Sequence, residues 1–476
     1  MSTSMPVIPS RANLLQNERE LYRFLVACQE KSKIIGSDLI VSLSEVIDSL
    51  DPLAVCQAIA QPNQQHFYWE NRKEKEAIAA IGAIKSITVN SPDRFSQSQQ
   101  FVQSCRKQLF RVGELHLPGS EPHFFCSFTF FDLPKNSDYT FPAATIFLPC
   151  FQITSQKDCC VLIANVAISY QVNIDLVFHQ LKQQIKSIHN ASHSVVNLTF
   201  PPPEQLIQKA PNHPSRYKAA VAEALKSIHK NRFSKIVLAH ALDVISPVPF
   251  GLVESLNRLR QRHPDCTIFS TSNGKGNHFI GASPERLLSI QNQQLATDAL
   301  AGSAPRGKSA AEDASFANQL WKSEKERREH QAVSDFITHR LHQLGLEPQR
   351  KPLQLLKLSN IQHLWTPIQA EVPAKVHPLE IVAQLHPTPA VAGVPTDIAC
   401  EQIRNYETFE RALYAAPLGW IDYQGNSKFI VGIRSATIAG NHARLHAGAG
   451  IIAGSHPDKE LAEIQLKLQT MLKALV

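Results

Sequence analysis

Two pairs of glutamates in the last third of the chain have spacing suited to holding a cation. Glu326 and Glu329 lie three residues apart in a segment of helical pattern, and Glu460 and Glu463 repeat that spacing near the C-terminus. Residues three apart share one helix face. Val333, four residues beyond Glu329, turns the first pair toward the apolar side, and the second pair flanks an apolar stripe. Carboxylates turned inward are costly unless cations neutralise them, and hard oxygen donors suit Mg²⁺. Taken alone, the pairs also fit a solvated charged face, because residues 322–330 are dense in Lys, Arg and Glu.

Acid–base chemistry has candidates in Lys235, at the head of an apolar run, and in Glu285, within Ala282-Ser283-Pro284-Glu285-Arg286-Leu287. A lysine serves as general base when burial or nearby cations lower its pKa, and a glutamate as general acid when its own is raised. A surface charge or simple ion pair is the plainer account of each. The run 447–455, Ala-Gly-Ala-Gly-Ile-Ile-Ala-Gly-Ser, reads as a glycine loop entering a helix, suited to an anion, or as a tight strand-to-helix turn. Arg434 suits bidentate carboxylate capture, and His363 and the turn 299–307 around Gly302 and Ser303 are further candidates. The run 385–393, Leu-His-Pro-Thr-Pro-Ala-Val-Ala-Gly, predicts a rigid loop carrying chemistry, with His386 inside it.

These groups need a frame. Residues 217–228, 312–344 and 458–475 have helical apolar spacing, the middle stretch as one or two helices. Residues 235–245, 418–421, 429–433 and 443–446 read as strands, and 286–290 with 295–297 as a hairpin. Residues 67–70, 145–148 and 161–164 read as strands of a mixed first half that shows no catalytic constellation. Pro201–Pro203 mark a division into 1–200 and 201–476.

Composition narrows the class. The 476 residues are 43% hydrophobic and 19% charged, as in a soluble globular protein. The net charge of +7 is not clustered, which argues against nucleic-acid binding and suits an anionic substrate. Nine scattered cysteines without a C-x-x-C pair argue against a disulfide framework or a zinc site and for a reducing compartment. No apolar stretch is long enough to span a bilayer, and residues 1–17 read as a frayed end in preference to a targeting segment.

Across residues 215–476 these segments resemble the chorismate-utilising enzymes, and among them the isochorismate synthases. The likeness rests on Lys235–Ala239, Ser283–Leu287, Leu300–Ser303, Ser323–His330, Gln362–Leu364, His386–Ala390, Tyr414–Trp420, Gly432–Arg434 and the Ala-Gly-Ala-Gly run, in that order. The first half is similar to the divergent half of the same family at 67–70 and 141–143. The resemblance implies an α+β fold, two packed β-sheets with helices outside, in one large unit of two related halves.

It also implies roles. Lys235 activates water to attack C2 of chorismate, and Glu285 protonates the departing C4 hydroxyl. Mg²⁺ is held by Glu329 and Glu463, with Glu326 and Glu460 acting directly or through water. Gly450, Arg434, Tyr414 and Lys467 hold the substrate carboxylates. Gly302, Ser303 and His363 line the site, and Ala390 and Val391 pack on the ring. Lysine at 235 and alanine at 301 favour the water-using members over the ammonia-using ones. The His-Pro-Thr-Pro-Ala loop favours isochorismate synthases over salicylate synthases. Ser303, Ala392, Ala412 and Ala416 depart from commoner family residues, the last three from glycine. The expected protein is a cytoplasmic monomer without an amidotransferase subunit, feeding quinone (menaquinone or phylloquinone), salicylate or siderophore synthesis. The alternatives are a salicylate synthase and a non-catalytic chorismate-binding protein.

Overall fold

The computed structural model describes residues 14–133, 140–191, 195, 206–209, 214–357 and 361–475. Pro201–Pro203 lie outside these, as do residues 1–13. Leu14 and Leu15 are buried, so the stretch expected to fray is packed by that point.

The elements follow the patterning closely. The 235–245 strand has the expected limits, and Tyr217 to Ile228 falls within the Pro214–His229 helix. The 312–344 stretch is two helices, Ala310–Lys322 and Glu324–Gln343, separated by Ser323. Ser323 closes one and caps the next, its hydroxyl accepting from the Glu326 N–H at 3.3 Å. The hairpin pairs Ser289 with Ala296, and its second strand runs on to Pro305.

The strands expected as two packed sheets are joined, among the described residues, in one hydrogen-bonded network of 21 strands. One face of this network packs against itself. Phe67 and Phe125 lie on strands three ladder steps apart. Three steps span roughly 14 Å in a flat sheet, yet the two rings are 4.7 Å apart. The network therefore folds over. The long Glu76–Val89 strand supplies the bend, with a bulge between Ala83 and Lys85. The fold encloses an aromatic core of Phe67, Trp69, Phe125, Phe147, Phe269, Phe279 and Trp420. Tyr68, alternating with Phe67 and Trp69, joins the larger outer core under the helices.

Strands from the first 200 residues pair directly with later ones: Trp69 opposes Phe269, and Cys126 opposes Gly419. The Lys235–Ile245 strand lies along the whole Glycine-rich His442–Ile452 strand and, at its head, against Gly393–Val394. That approach is close. A Cβ on Gly393, at φ +144, would stand 2.2 Å from the Lys235 carbonyl oxygen. Gly393→Ala is expected to cost about 2–4 kcal/mol, read as a lower denaturant midpoint. An unchanged midpoint would show that the pairing ahead of Lys235 yields easily.

Candidate active site

The heads, ends and turns of these strands meet two helix faces at one cavity of about 350 Å³. Lys235 enters from the head of its strand, its side chain 7% exposed, and its Nζ donates to Glu329 Oε1 at 2.6 Å. Glu285 follows the Asn277–Ser283 strand. Its backbone is held at both ends, N–H to Ser283 Oγ at 3.2 Å and carbonyl to the Val431 N–H at 3.1 Å. Glu326 and Glu329 come from the first turns of the Glu324–Gln343 helix, which buried His330 ties to Thr366 at 2.8 Å. Glu460, Glu463 and Lys467 project from the Pro457–Leu475 helix, whose adjoining stripe of Leu461, Ile464, Leu468 and Met471 is buried. Lys467 Nζ reaches both Glu463 at 2.7 Å and the Gly448 carbonyl at 2.9 Å.

Gly302, Ser303, His363, Ala390, Val391, Tyr414, Arg434 and Gly450 line the same cavity. Apart from His386, the site residues singled out from sequence thus line one cavity. Gly302 sits at a bulge with φ +76, where a Cβ would come within 3.1 Å of Glu326. The Ser303 hydroxyl and His363 Nδ1 share a hydrogen bond of 2.8 Å.

Two readings need correction. The glycine run is not mainly a loop. Residues 447–452 continue the His442–Ile452 strand, with Gly448 opposite Ala239 and Gly450 opposite Val237. Pairing on the other side ends at His446, so beyond it one backbone edge is left by its strand neighbour. The second correction concerns His386. It is absent from the cavity lining; its Nε2 bonds the Phe130 carbonyl at 2.9 Å, and burial holds it down at about 3. Among the described residues the loop reaches the cavity through Ala390 and Val391.

Polar cavity residues missed in the sequence are Lys325 and His446. Lys325 is next to Glu326, and Ser455, the end of the glycine run, stands two residues before the last helix. His446 alternates with Gly448 and Gly450, a period-2 signal visible once the strand is extended past 446. Its ring stacks on Tyr414 at 5.2 Å.

Burial pushes Glu285 up to about 7, against the pull of nearby Lys235. Burial and then Glu329 raise Glu326; burial raises Glu460, the Ser455 hydroxyl opposes it, and Glu463 adds to it. Burial with Arg434 nearby holds His363 at about 4, hence neutral. Among the described residues, no three His, Cys, Asp or Glu side chains converge as they stand on a metal-holding point. The glutamates line the cavity as two pairs, one from each helix. Their chemistry still fits a hard divalent cation: carboxylate donors only, with one member of each pair raised by burial and further by its neighbour.

A large α+β sheet network presenting an acid, a lysine and paired carboxylates to one cavity defines an enzyme-like site for a small anionic molecule. A family model described as chorismate binding enzyme matches residues 23–476, and the chain belongs to that family. It is 39% identical over 269 residues to the salicylate biosynthesis isochorismate synthase of Pseudomonas aeruginosa, an alignment spanning 55% of this chain and 54% of that protein. It is 28% identical over 470 residues to isochorismate synthase MenF of Bacillus subtilis, covering 96% of this chain and 98% of the relative. The solved structure of the menaquinone-specific isochorismate synthase MenF from Escherichia coli superposes with a TM-score of 0.75 at 26% identity, over 94% of this chain and 99% of that one.

Glu285 takes its proton more readily folded than unfolded. Its contribution to stability is therefore full below the unfolded carboxyl value of 4.5 and lost as pH rises through about 7. Glu285→Gln is expected to stabilise the fold by on the order of 2 kcal/mol at about pH 8.5 and to match wild type below about pH 4. Urea unfolding across pH reads this; a constant gap would refute the buried-acid assignment.

Proposed function

We propose that this chain is an isochorismate synthase that isomerises chorismate with the help of Mg²⁺. The observation that carries the reading is Glu285, held near a pKa of about 7, sharing one cavity with Lys235. A general acid works best when its pKa lies near the operating pH.

In this scheme the Lys235 amine takes a proton from water as the water oxygen bonds C2. The ring double bonds shift, the C4–O bond breaks, and Glu285 delivers its proton to the departing hydroxyl. One water enters and one leaves, so the change is an isomerisation. Contact with Glu329 aims the Lys235 side chain into the cavity. Arg434, Lys467 and backbone groups near Gly450 receive the substrate carboxylates, the neutral His363–Ser303 pair offers hydrogen bonds without added charge, and Ala390 and Val391 pack on the ring. A magnesium ion would be held by Glu329 and Glu463, with Glu326 and Glu460 direct or through water, and would neutralise a substrate carboxylate.

The near full-length likeness to proteins named isochorismate synthase MenF supports this reading and a role in quinone synthesis. We take the protein to act alone, as a cytoplasmic monomer without an amidotransferase subunit. No described helix is long and apolar enough to cross a membrane.

Chromatography after incubation with chorismate and Mg²⁺, without ammonia, should show isochorismate alone. Salicylate with pyruvate would move the assignment to a lyase. Lys235→Ala should lower kcat by about 10²–10⁴-fold while the thermal midpoint stays near wild type; near-normal turnover would end the base assignment. Chelation by EDTA should abolish activity, and added Mg²⁺ should restore it.

A further inference from the structure

Behind the cavity wall lies a charge pair that the reaction scheme does not use. Arg411 is fully buried and Glu407 is 4% exposed. Arg411 Nε and Nη2 donate to the two Glu407 oxygens at 2.8 and 2.6 Å. Its remaining hydrogen bonds run outward to two other segments: Nη1 to the Val391 carbonyl at 3.0 Å and Nη2 to the Val237 carbonyl at 2.7 Å. Glu407 Oε1 also accepts the Ala239 N–H at 2.7 Å. Val237 and Val391 both line the cavity, and Lys235 is two residues from Val237 on the same strand. The Val237 N–H donates to the Ala392 carbonyl at 2.8 Å, so strand and loop are also joined to each other.

The first half of the chain closes this knot. The Phe130 ring covers the guanidinium at 4.3 Å. Its carbonyl bonds His386 at 2.9 Å, and its N–H donates to the Ala412 carbonyl at 2.7 Å. Phe130 therefore touches both ends of the segment that bears Ala390, Val391 and Arg411. A buried ion pair is a poor source of net stability, because desolvation offsets most of its attraction. What a planar five-donor fork does well is fix the relative position of several acceptors.

We propose that Arg411, held by Glu407 and covered by Phe130, is a positioning residue that sets Lys235 and the Val391 wall against the substrate. The inference rests on the isochorismate synthase reading for what is positioned, not for the knot itself. It gives the first half of the chain a part in the site that it does not line directly. Misplacement of reacting groups by about 1 Å can cost on the order of 100-fold in rate.

The test compares Arg411→Lys, which keeps the charge and loses the fork, with Leu21→Ala, which opens a void in the distant Glu18–Ile35 helix. Both should lower the thermal midpoint. Assayed well below that midpoint, Arg411→Lys should lower kcat by about 30-fold or more with KM changed much less. Leu21→Ala should leave kcat as in wild type. Hydrogen exchange should quicken in Arg411→Lys at the amides of 237–239 and 388–394 and stay unchanged in the Glu18–Ile35 helix. If Arg411→Lys keeps kcat within twofold, or if exchange quickens evenly across the chain, the positioning role is wrong. Should Arg411→Lys fail to fold, Phe130→Leu carries the same test, since it keeps the ion pair and removes the covering ring. A wild-type protein that leaves chorismate unchanged would defeat the functional reading, while the exchange pattern would still decide the knot.

Discussion

The contact between Lys235 and Glu329 is the constraint on which the site depends. It joins the head of a central strand to the first turns of a surface helix, and it does so inside a cavity where neither charge is well hydrated. Such a pair persists only where geometry and partners offset desolvation. The surroundings do this by matching charge. Glu326, Glu329, Glu460 and Glu463 face Lys235, Lys325, Arg434 and Lys467 around one cavity. With Lys235 protonated the carboxylates and cations balance without any ion; with its amine neutral, as a general base must be, a divalent cation leaves the set positive by one. Glu285 stands apart from this balance because burial lifts it to about 7, where it holds its proton about half the time near neutral pH.

The frame that holds this arrangement is unusual mainly in its continuity. Strands of the first half are paired edge to edge with strands of the second, and the aromatic core lies between the folded-over faces. Phe130 adds a further link, since its ring and backbone touch the segment that builds one cavity wall.

Local backbone demands explain some residue choices and sharpen others. Ala412 and Ala415 adopt φ of +47 and +59, a region that alanine enters at a cost. Glycine, the commoner residue at 412 in the resembling enzymes, would adopt it freely. Arg434 also has a positive φ, +49. Strain of this kind persists where surrounding structure over-determines it, and both stretches lie at the cavity.

Much of this was legible in the chain itself. The 3.6-residue and two-residue periods placed the helices and strands that carry Lys235, Glu326, Glu329, Glu460 and Glu463, because amphipathic patterning is a local property. The glutamate spacing, the Ser-Pro-Glu-Arg run and the order of motifs pointed to one family and one chemistry. What the chain could not show was direction and distance. His386 looked reactive in a proline loop, yet tertiary packing turns it toward Phe130 and away from the cavity. The glycine run looked like a loop, but pairing with the Lys235 strand makes it a strand. Arg411 carried no motif at all. Its role depends on the carbonyls of Val237 and Val391 and the carboxylate of Glu407, and only the folded chain brings those acceptors within reach of one guanidinium.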